Sequence, residues 1–452
     1  MAHPWVGRSE MVNLGVLTQF VPPLLVDAAI EGRTRDRSRR AGPLSMRFAV
    51  YYELALALFT HESLEDVCDN LTGAIPELGD LVPAKSALHG ARARLGPEAM
   101  AAVFEQVAAG ATEPAVGGRW RGLRTWAVDG FVVEVPDSAA NRTHFGAPVT
   151  ARGVRASAYP QARVVTLAAT GTRAVRAAAI GAYTAGEYEL AGQLAPATGP
   201  GDLVIFDRGL RSVRLWQTYR EHGAHLLLRA PHHIARELVE PLPDGTALVR
   251  MWLDGRHRRS GERSVVMRLI EYRVDAGETI RLLTSLEDPE AHPAAELARL
   301  YAERWQSEIS NLQIKTLQIT PGRLLRSHDP DQVRQEIYAH LTLQHALNRL
   351  ITVIADERRE QTDRISFTKI LKEVRRSVIR QIHTTLARAV TRALDIADDL
   401  RRYRNPKRPP RTSERSVKRT RHRYPHRTNP PATPVTTPAP PRTIRLLTAL
   451  TS

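Results

Sequence analysis

The chain has 452 residues, with 64 basic against 48 acidic side chains, a formal net charge of +16 and one cysteine. The single thiol, Cys68, excludes an internal disulfide framework and any zinc site built on two thiolates. The best apolar run, Phe48 to Phe59, spans 12 residues and contains Glu53, so it reads as a core helix and not as a membrane span. No charged start followed by an apolar stretch opens the chain, so no secretory signal is read, and a cytoplasmic protein with a polyanionic partner is expected.

Residues 11–110 read as helical. Apolar side chains recur at three and four spacing through Met46, Val50, Leu54, Ala57 and Leu58. A second helix fits Ser63 to Leu71, and Pro83 opens a third that Gly96-Pro97 closes. That third helix carries Lys85, Arg92 and Arg94, so residues 1–115 form an N-terminal all-α domain whose basic helix suits binding to DNA ends. A small helical bundle with no such role contains the same kind of helix pair.

From Trp120 the period changes. The segment 124–135 is apolar with β-branched residues and suggests a strand pair or hairpin. Two more strands fit 162–170 and 173–183, a helix fits Gly186 to Ala197, and a short buried strand fits 202–207 before a helix from Ser212 to His222. Strands followed by crossover helices imply an α/β sheet. Residues 224–289 carry four further strand patterns separated by turn signals and read as a β-rich insertion. Helices return at Pro293 and run to about residue 402, among them a basic amphipathic one over 366–376. The core is therefore expected over 120–223 and 290–400. Residues 401–452 hold 14 basic and one acidic side chain, leaving 50 basic and 47 acidic in the rest. This basic, Pro-rich tail cannot bury a core, is expected to be disordered, and suits binding to phosphates by counterion release.

Two acids stand at expected strand ends, Asp129 before Gly130 and Asp207 before Arg208-Gly209. Functional groups gather beyond the carboxyl ends of strands in open α/β sheets. An aspartate before glycine is more often a turn or cap residue, and either one alone reads that way. A third element is the expected helix 293–315, in which Tyr301, Arg304 and Lys315 lie seven before, four before and seven after Glu308. At 3.6 residues per turn these four side chains form one stripe. The chain has only six lysines, and chance gives the three placements around an acid with a probability of roughly 4 in 100,000. An i,i+4 Arg–Glu pair on a solvated helix is the plainer alternative, worth a few tenths of a kcal/mol.

The pattern Tyr301-x2-Arg304-x3-Glu308-x6-Lys315 resembles the signature of insertion sequence 4 family transposases, a branch of the DDE transposases. Asp129-Gly130 and Asp207-Arg208-Gly209 stand where that family has its first two catalytic aspartates. Phe131 replaces the small hydroxyl residue, and Leu210 the aromatic, that many members carry. The resemblance implies a ribonuclease-H-like catalytic core with a β-rich insertion. Catalytic Asp129, Asp207 and Glu308 would hold two Mg²⁺ or Mn²⁺ ions, which carboxylate oxygens suit. Asp129 would bridge the two metals. Arg304 and Lys315 would grip phosphates, Tyr301 would hydrogen-bond or pack against the same backbone, and Trp305 would stack on a displaced base. A core position between helix and sheet is the commoner fate of such a tryptophan.

The family implies cut-and-paste transposition through a DNA hairpin, with two subunits assembled as a homodimer on two element ends. The partners are then double-stranded DNA, both terminal inverted repeats and target, in a nucleoid-associated setting. The chain contains no Gly-Lys dipeptide and so no phosphate-cradling nucleotide loop, which fits a reaction without ATP. Two other readings stay open. One is a metal-dependent nuclease on the same fold, and the other is a transposase-derived DNA-binding protein without cleavage activity.

Overall fold

The computed structural model describes residues 8–35, 44–78, 83–109, 119–148, 159–207, 209–210, 212–230, 236–252, 264–273, 279–302, 310–319 and 324–381, with two-residue strands at 415–416, 436–437 and 445–446. Expectations for the tail otherwise fall outside these residues. The chain divides into two units, Met1–His225 with Arg304–Arg404, and Leu226–Glu303 with Asn405–Ser452.

The first unit begins with helices α1 (Pro23–Ile30), α2 (Met46–Leu58), α3 (Leu64–Thr72), α4 (Lys85–Leu95) and α5 (Pro97–Ala109). Ser45 caps α2 by accepting the Phe48 N–H, and Ser63 closes a capping box with Asp66 on α3. Every residue of α2 from Phe48 to Leu58 is buried. A helix apolar all round takes the centre of a bundle. Two arginines from distant sequence close its C-terminal end: Arg375 donates to the Leu58 carbonyl at 2.7 Å and Arg326 to the Phe59 carbonyl at 2.8 Å.

Glu53 sits in the middle of this apolar helix, fully buried. Arg92 of α4, 2% exposed, meets it as a fork, with Nε and Nη2 donating at 2.7 and 3.0 Å. Arg92 also donates to Ser327 Oγ at 3.0 Å, and that hydroxyl donates to Glu336 at 3.0 Å. Burial pushes the Glu336 carboxyl up, and the Arg92 guanidinium opposes this. The expectation that Arg92 faces DNA is therefore corrected: it lies on the inward face of α4 because an acid in the core needs a cation. Lys85 and His89 of the same helix are exposed.

The sheet of this unit comprises β1 (Arg119–Trp120), β2 (Leu123–Glu134), β3 (Gln161–Ala169), β4 (Val175–Ala182) and β5 (Asp202–Phe206), in the order β4-β3-β2-β5 with β1 paired to the start of β2. β2, β3 and β4 are antiparallel and β5 joins β2 in parallel, the ribonuclease-H-like arrangement. All five residues of β5 are buried, as a parallel strand covered on both faces requires. The expected strand pair over 124–135 is instead one 12-residue strand. Gly130 stays in the ladder opposite Val165 and makes no turn. A Cβ there would lie 2.6 Å from Glu187 Oε1, so the glycine serves close approach. The helix expected over 186–197 is shorter, α7 (Glu187–Gly192), followed by a 3-10 turn at Ala195–Ala197. Helix α6 (Ala139–Phe145) precedes β3 and α8 (Val213–Glu221) follows β5.

In the second unit β6 (His225–Arg229), β7 (Arg236–Pro241), β8 (Ala247–Trp252), β9 (Ser264–Arg273) and β10 (Thr279–Thr284) are ordered β6-β10-β9-β8-β7, all antiparallel. Strand β7 adds to the four expected. Its sequence, RELVEP, shows no alternation because it is an edge strand exposed along nearly its whole length. Arg268, with no exposed side chain, donates to Thr246 Oγ1 at 2.9 Å and to the His292 carbonyl at 2.7 Å and pairs with Asp244. Helix α9 (Ala294–Ala302) follows in this unit.

Back in the first unit, α10 (Pro330–Glu357) and α11 (Phe367–Ile379) complete the bundle. One apolar core joins residues from Val12 to Val107 with residues from Ala339 to Val378. Among the described residues no helix is long and apolar enough to cross a membrane.

Two outcomes follow from these burials. Arg92→Ala should cost about 3–5 kcal/mol in urea unfolding, because it strands a buried carboxylate; a loss below about 1 kcal/mol would show Glu53 finding other compensation. The second concerns His340 and His345 of α10, which burial lowers to about 3 and about 4. Their folded values lie below the unfolded value of about 6.5. They therefore stabilise the fold above that pH, and the contribution is lost as pH falls from 6.5 towards 4. His345 Nδ1 lies 2.7 Å from the Val175 carbonyl, so Nδ1–H donates and Nε2 is the buried nitrogen that would take the proton. Urea midpoints of His345→Gln should fall less between pH 7 and pH 5 than those of the parent chain.

Candidate active site

The parallel ladder between β2 and β5 runs from Arg124 opposite Asp202 to Val128 opposite Phe206. Asp129 and Asp207 are the next residue on each strand. Val128 and Phe206 are the last partners of that ladder, so Asp129 and Asp207 each follow directly on the end of the pairing. The expectation that Asp129 ends its strand is corrected: β2 runs on to Glu134 against β3, and it is β5 that stops. Asp207 begins a turn, its carbonyl accepting the Leu210 N–H at 3.0 Å. Fully buried Trp216 and exposed Tyr188 hold this turn in place. Tyr188 donates to the Gly209 carbonyl at 2.7 Å and Trp216 Nε1 to the Leu210 carbonyl at 3.1 Å.

Asp129 is held on both oxygens. Its Oδ1 accepts the Gly130 N–H at 2.9 Å and its Oδ2 accepts Asn311 Nδ2 at 2.8 Å. Thr166, beside Asp129 on β3, places its hydroxyl 3.2 Å from Asn311 Oδ1 and 3.3 Å from the Asp129 carbonyl. Asn311 lies three residues after Glu308 in the sequence.

A layer of buried polar side chains fixes the segment around Asn311. Ser310 donates to the Arg173 carbonyl at 3.0 Å, and Gln344 of α10 donates to the same carbonyl at 2.6 Å. Arg173 presents that carbonyl from the β3–β4 turn with φ of 64°. Asn348 donates to Gln313 Oε1 at 2.9 Å, and Gln344 Oε1 accepts the Val175 N–H at 3.2 Å. Ser310, Asn311, Gln313, Gln344 and Asn348 are all buried, so each needs these partners.

The expected stripe of Tyr301, Arg304, Glu308 and Lys315 is only partly visible. Arg304, Trp305 and Glu308 lie outside the described residues. Tyr301 is in α9 and 8% exposed. Lys315 is exposed, but it lies in a π-helical segment, Gln313–Gln318. The spacing of 3.6 residues per turn does not hold there, which corrects the assumption of one regular helix through residue 315. Among the described residues no group of three or more His, Cys, Asp and Glu side chains could hold a metal ion. Of the three expected acids, Asp129 and Asp207 are among the described residues.

Asn311, Thr166, Gln344 and Asn348 escaped the reading of the sequence. The available signal was polar residues at inward positions: Ser310, Asn311 and Gln313 just after Glu308, and Gln344, His345 and Asn348 on the apolar stripe of α10.

Comparison with known proteins adds the family. The profile for the insertion element 4 transposase N-terminal region matches residues 11–105, and that for the transposase DDE domain matches residues 120–348. The transposase InsG for insertion sequence element IS4 of Escherichia coli (strain K12) is 29% identical over 347 residues, 74% of this chain and 75% of that protein. A putative transposase InsZ of the same organism is 30% identical over 184 residues, 40% of this chain and 61% of that protein. Among solved structures, a piggyBac transposase synaptic complex with hairpin DNA aligns over 88% of this chain and 86% of that one, at 13% identity and a TM-score of 0.45. The match across the strands that bear Asp129 and Asp207, through to α10, makes this chain a member of the insertion sequence 4 family of DDE transposases.

Proposed function

We propose that this transposase cuts and joins DNA with Asp129, Asp207 and Glu308 as its catalytic carboxylates and two Mg²⁺ or Mn²⁺ ions as cofactors. The supporting observation is the register of β2 and β5, in which Asp129 and Asp207 directly follow the last paired residues, Val128 and Phe206. Carboxylates brought together at such a place repel when ionised, and hard divalent cations relieve that repulsion. The donor set therefore fits the metal that the family implies. Bound there, the cations would supply Lewis-acid stabilisation of the attacking and leaving oxygens of an in-line displacement at phosphorus.

The remaining work belongs to the chain itself. Asp129 and Asp207 are set by strand register and Glu308 comes from the segment ahead of Asn311. Lys315, whose amine is exposed, and Arg304 grip phosphates flanking the cleaved bond. Trp305 stacks on a displaced base. Tyr301, 8% exposed, has little surface to offer DNA and contributes through its hydroxyl or by packing. The helices of residues 1–115 bind element ends, and residues 401–452 add non-specific affinity for phosphates. Two subunits bring two ends together, and the freed 3′-hydroxyl attacks first the opposite strand, giving a hairpin, and then target DNA.

Two measurements test this reading. Asp129→Ala, Asp207→Ala and Glu308→Ala should each lower Mg²⁺-dependent cleavage at element ends by at least about 100-fold, with end binding in a gel shift little changed. Denaturing gels of the parent chain should show a hairpin product of twice the strand length. Cleavage without joining would make the chain a nuclease, and end binding with no cleavage in Mg²⁺ or Mn²⁺ would make it a DNA-binding derivative. Lys315→Ala should weaken binding alike on all end sequences and reduce the salt dependence of log K by about one phosphate contact; an unchanged slope would remove Lys315 from the interface.

A further inference from the structure

We infer that Asn311 is a positioning residue that orients the Asp129 carboxylate for cation binding and joins the segment behind Glu308 to strand β2. The inference rests on the metal-dependent reading above.

Three observations carry it. First, the bond is direct and directional. Asn311 Nδ2 donates to Asp129 Oδ2 at 2.8 Å while the Gly130 N–H takes Oδ1 at 2.9 Å. A donor on each oxygen fixes the plane of the carboxylate. Second, the amide has a defined orientation. The Thr166 hydroxyl can donate to Asn311 Oδ1 at 3.2 Å, and the reversed amide would set its oxygen against the carboxylate. Third, Asn311 cannot drift. It is 5% exposed, and the Ser310 and Gln313 side chains on either side are bonded to the Arg173 carbonyl and to Asn348.

The residue type matters as much as its place. Arginine or lysine here would neutralise Asp129 and compete with the cation. Aspartate would add a further like charge. A neutral amide donor holds the carboxylate without adding a charge of its own. Partners of this kind behind ligating groups typically alter metal affinity by about 10–100-fold. A cross-link of purely structural value would alter stability and leave cation affinity alone.

The experiment is a Mn²⁺ titration of the full chain without DNA, by calorimetry or by the loss of the free-ion paramagnetic resonance signal. Thermal melts and end binding on the same samples report folding. Asn311→Ala should weaken Mn²⁺ binding about 10–100-fold. It should raise the Mn²⁺ concentration for half-maximal cleavage by the same factor, with KM for element ends unchanged. Thr166→Val keeps the shape and removes the hydroxyl, so it should shift affinity the same way by less, and Thr166→Ser should restore it. If Asn311→Ala and Thr166→Val bind Mn²⁺ like the parent chain while Asp129→Ala binds none, the positioning role is overturned and the metal reading stands. If Asp129→Ala itself leaves Mn²⁺ binding intact, the metal reading falls and takes this inference with it.

Discussion

Strand β5 ends at Phe206 while its parallel neighbour β2 continues to Glu134, and this mismatch in length creates the proposed centre. Within the ladder, backbone groups of the two strands satisfy each other. Beyond it, the chain turns at Asp207, while β2 runs on through Asp129 paired to β3. Antiparallel β3 supports β2 on its other edge, so the longer strand does not need β5 to stay extended. The sheet therefore presents two acids from a rigid platform, at the place where parallel strands generally give way to function. The turn after Asp207 is held by Tyr188 and Trp216, which brings rigidity to the less regular of the two positions.

Against that platform the segment 310–318 is held chiefly by polar contacts. Buried hydrogen-bonded groups gain little net stability over apolar ones, but they specify one arrangement, since any slip leaves a donor or acceptor unpaired. Gln344 and Asn348 on α10 and the Arg173 carbonyl in the β3–β4 turn accept one registration of Ser310 and Gln313. Apolar packing of Ile314 and Ile319 in the adjoining core adds cohesion without such selectivity. Gln313 and Ile314, both buried, lie in the π-helical stretch.

Much of this was legible in the amino-acid order. The short apolar run before Asp207, the patterns for β3 and β4, and the capped start of α3 are local signals, and local signals survive folding. The Asp129-Gly130 dipeptide misled, because glycine before a β-branched run reads equally as a turn or as a site of close approach. Only the position of Glu187, 57 residues later, decides between them. Arg92 misled for the same reason: its partner Glu53 is 39 residues away on another helix, and no period connects them. β7 carried no pattern because an exposed edge strand buries no face. Asn311 was hidden because its meaning depends on Asp129, 182 residues earlier. The family signature singled out Asp129 and Asp207 because a motif can record tertiary relations that composition and periodicity do not.

The apolar core of the first unit joins residues up to Val107 with residues that begin at Ala339. During synthesis the first helices therefore emerge more than 200 residues before the helices that cover them. At 5–20 residues per second the wait is on the order of 10–50 s. For that time α2, apolar on all sides, can bury only the part of its surface that α1, α3, α4 and α5 reach. Glu53 and Arg92 can already meet, but Arg326 and Arg375 do not yet exist to close the helix end. Until its last core helices appear, the nascent chain carries exposed apolar surface of the kind that promotes aggregation. A premature stop anywhere between α5 and α10 would release a protein with its central helix partly bare, which favours degradation of incomplete chains over their accumulation.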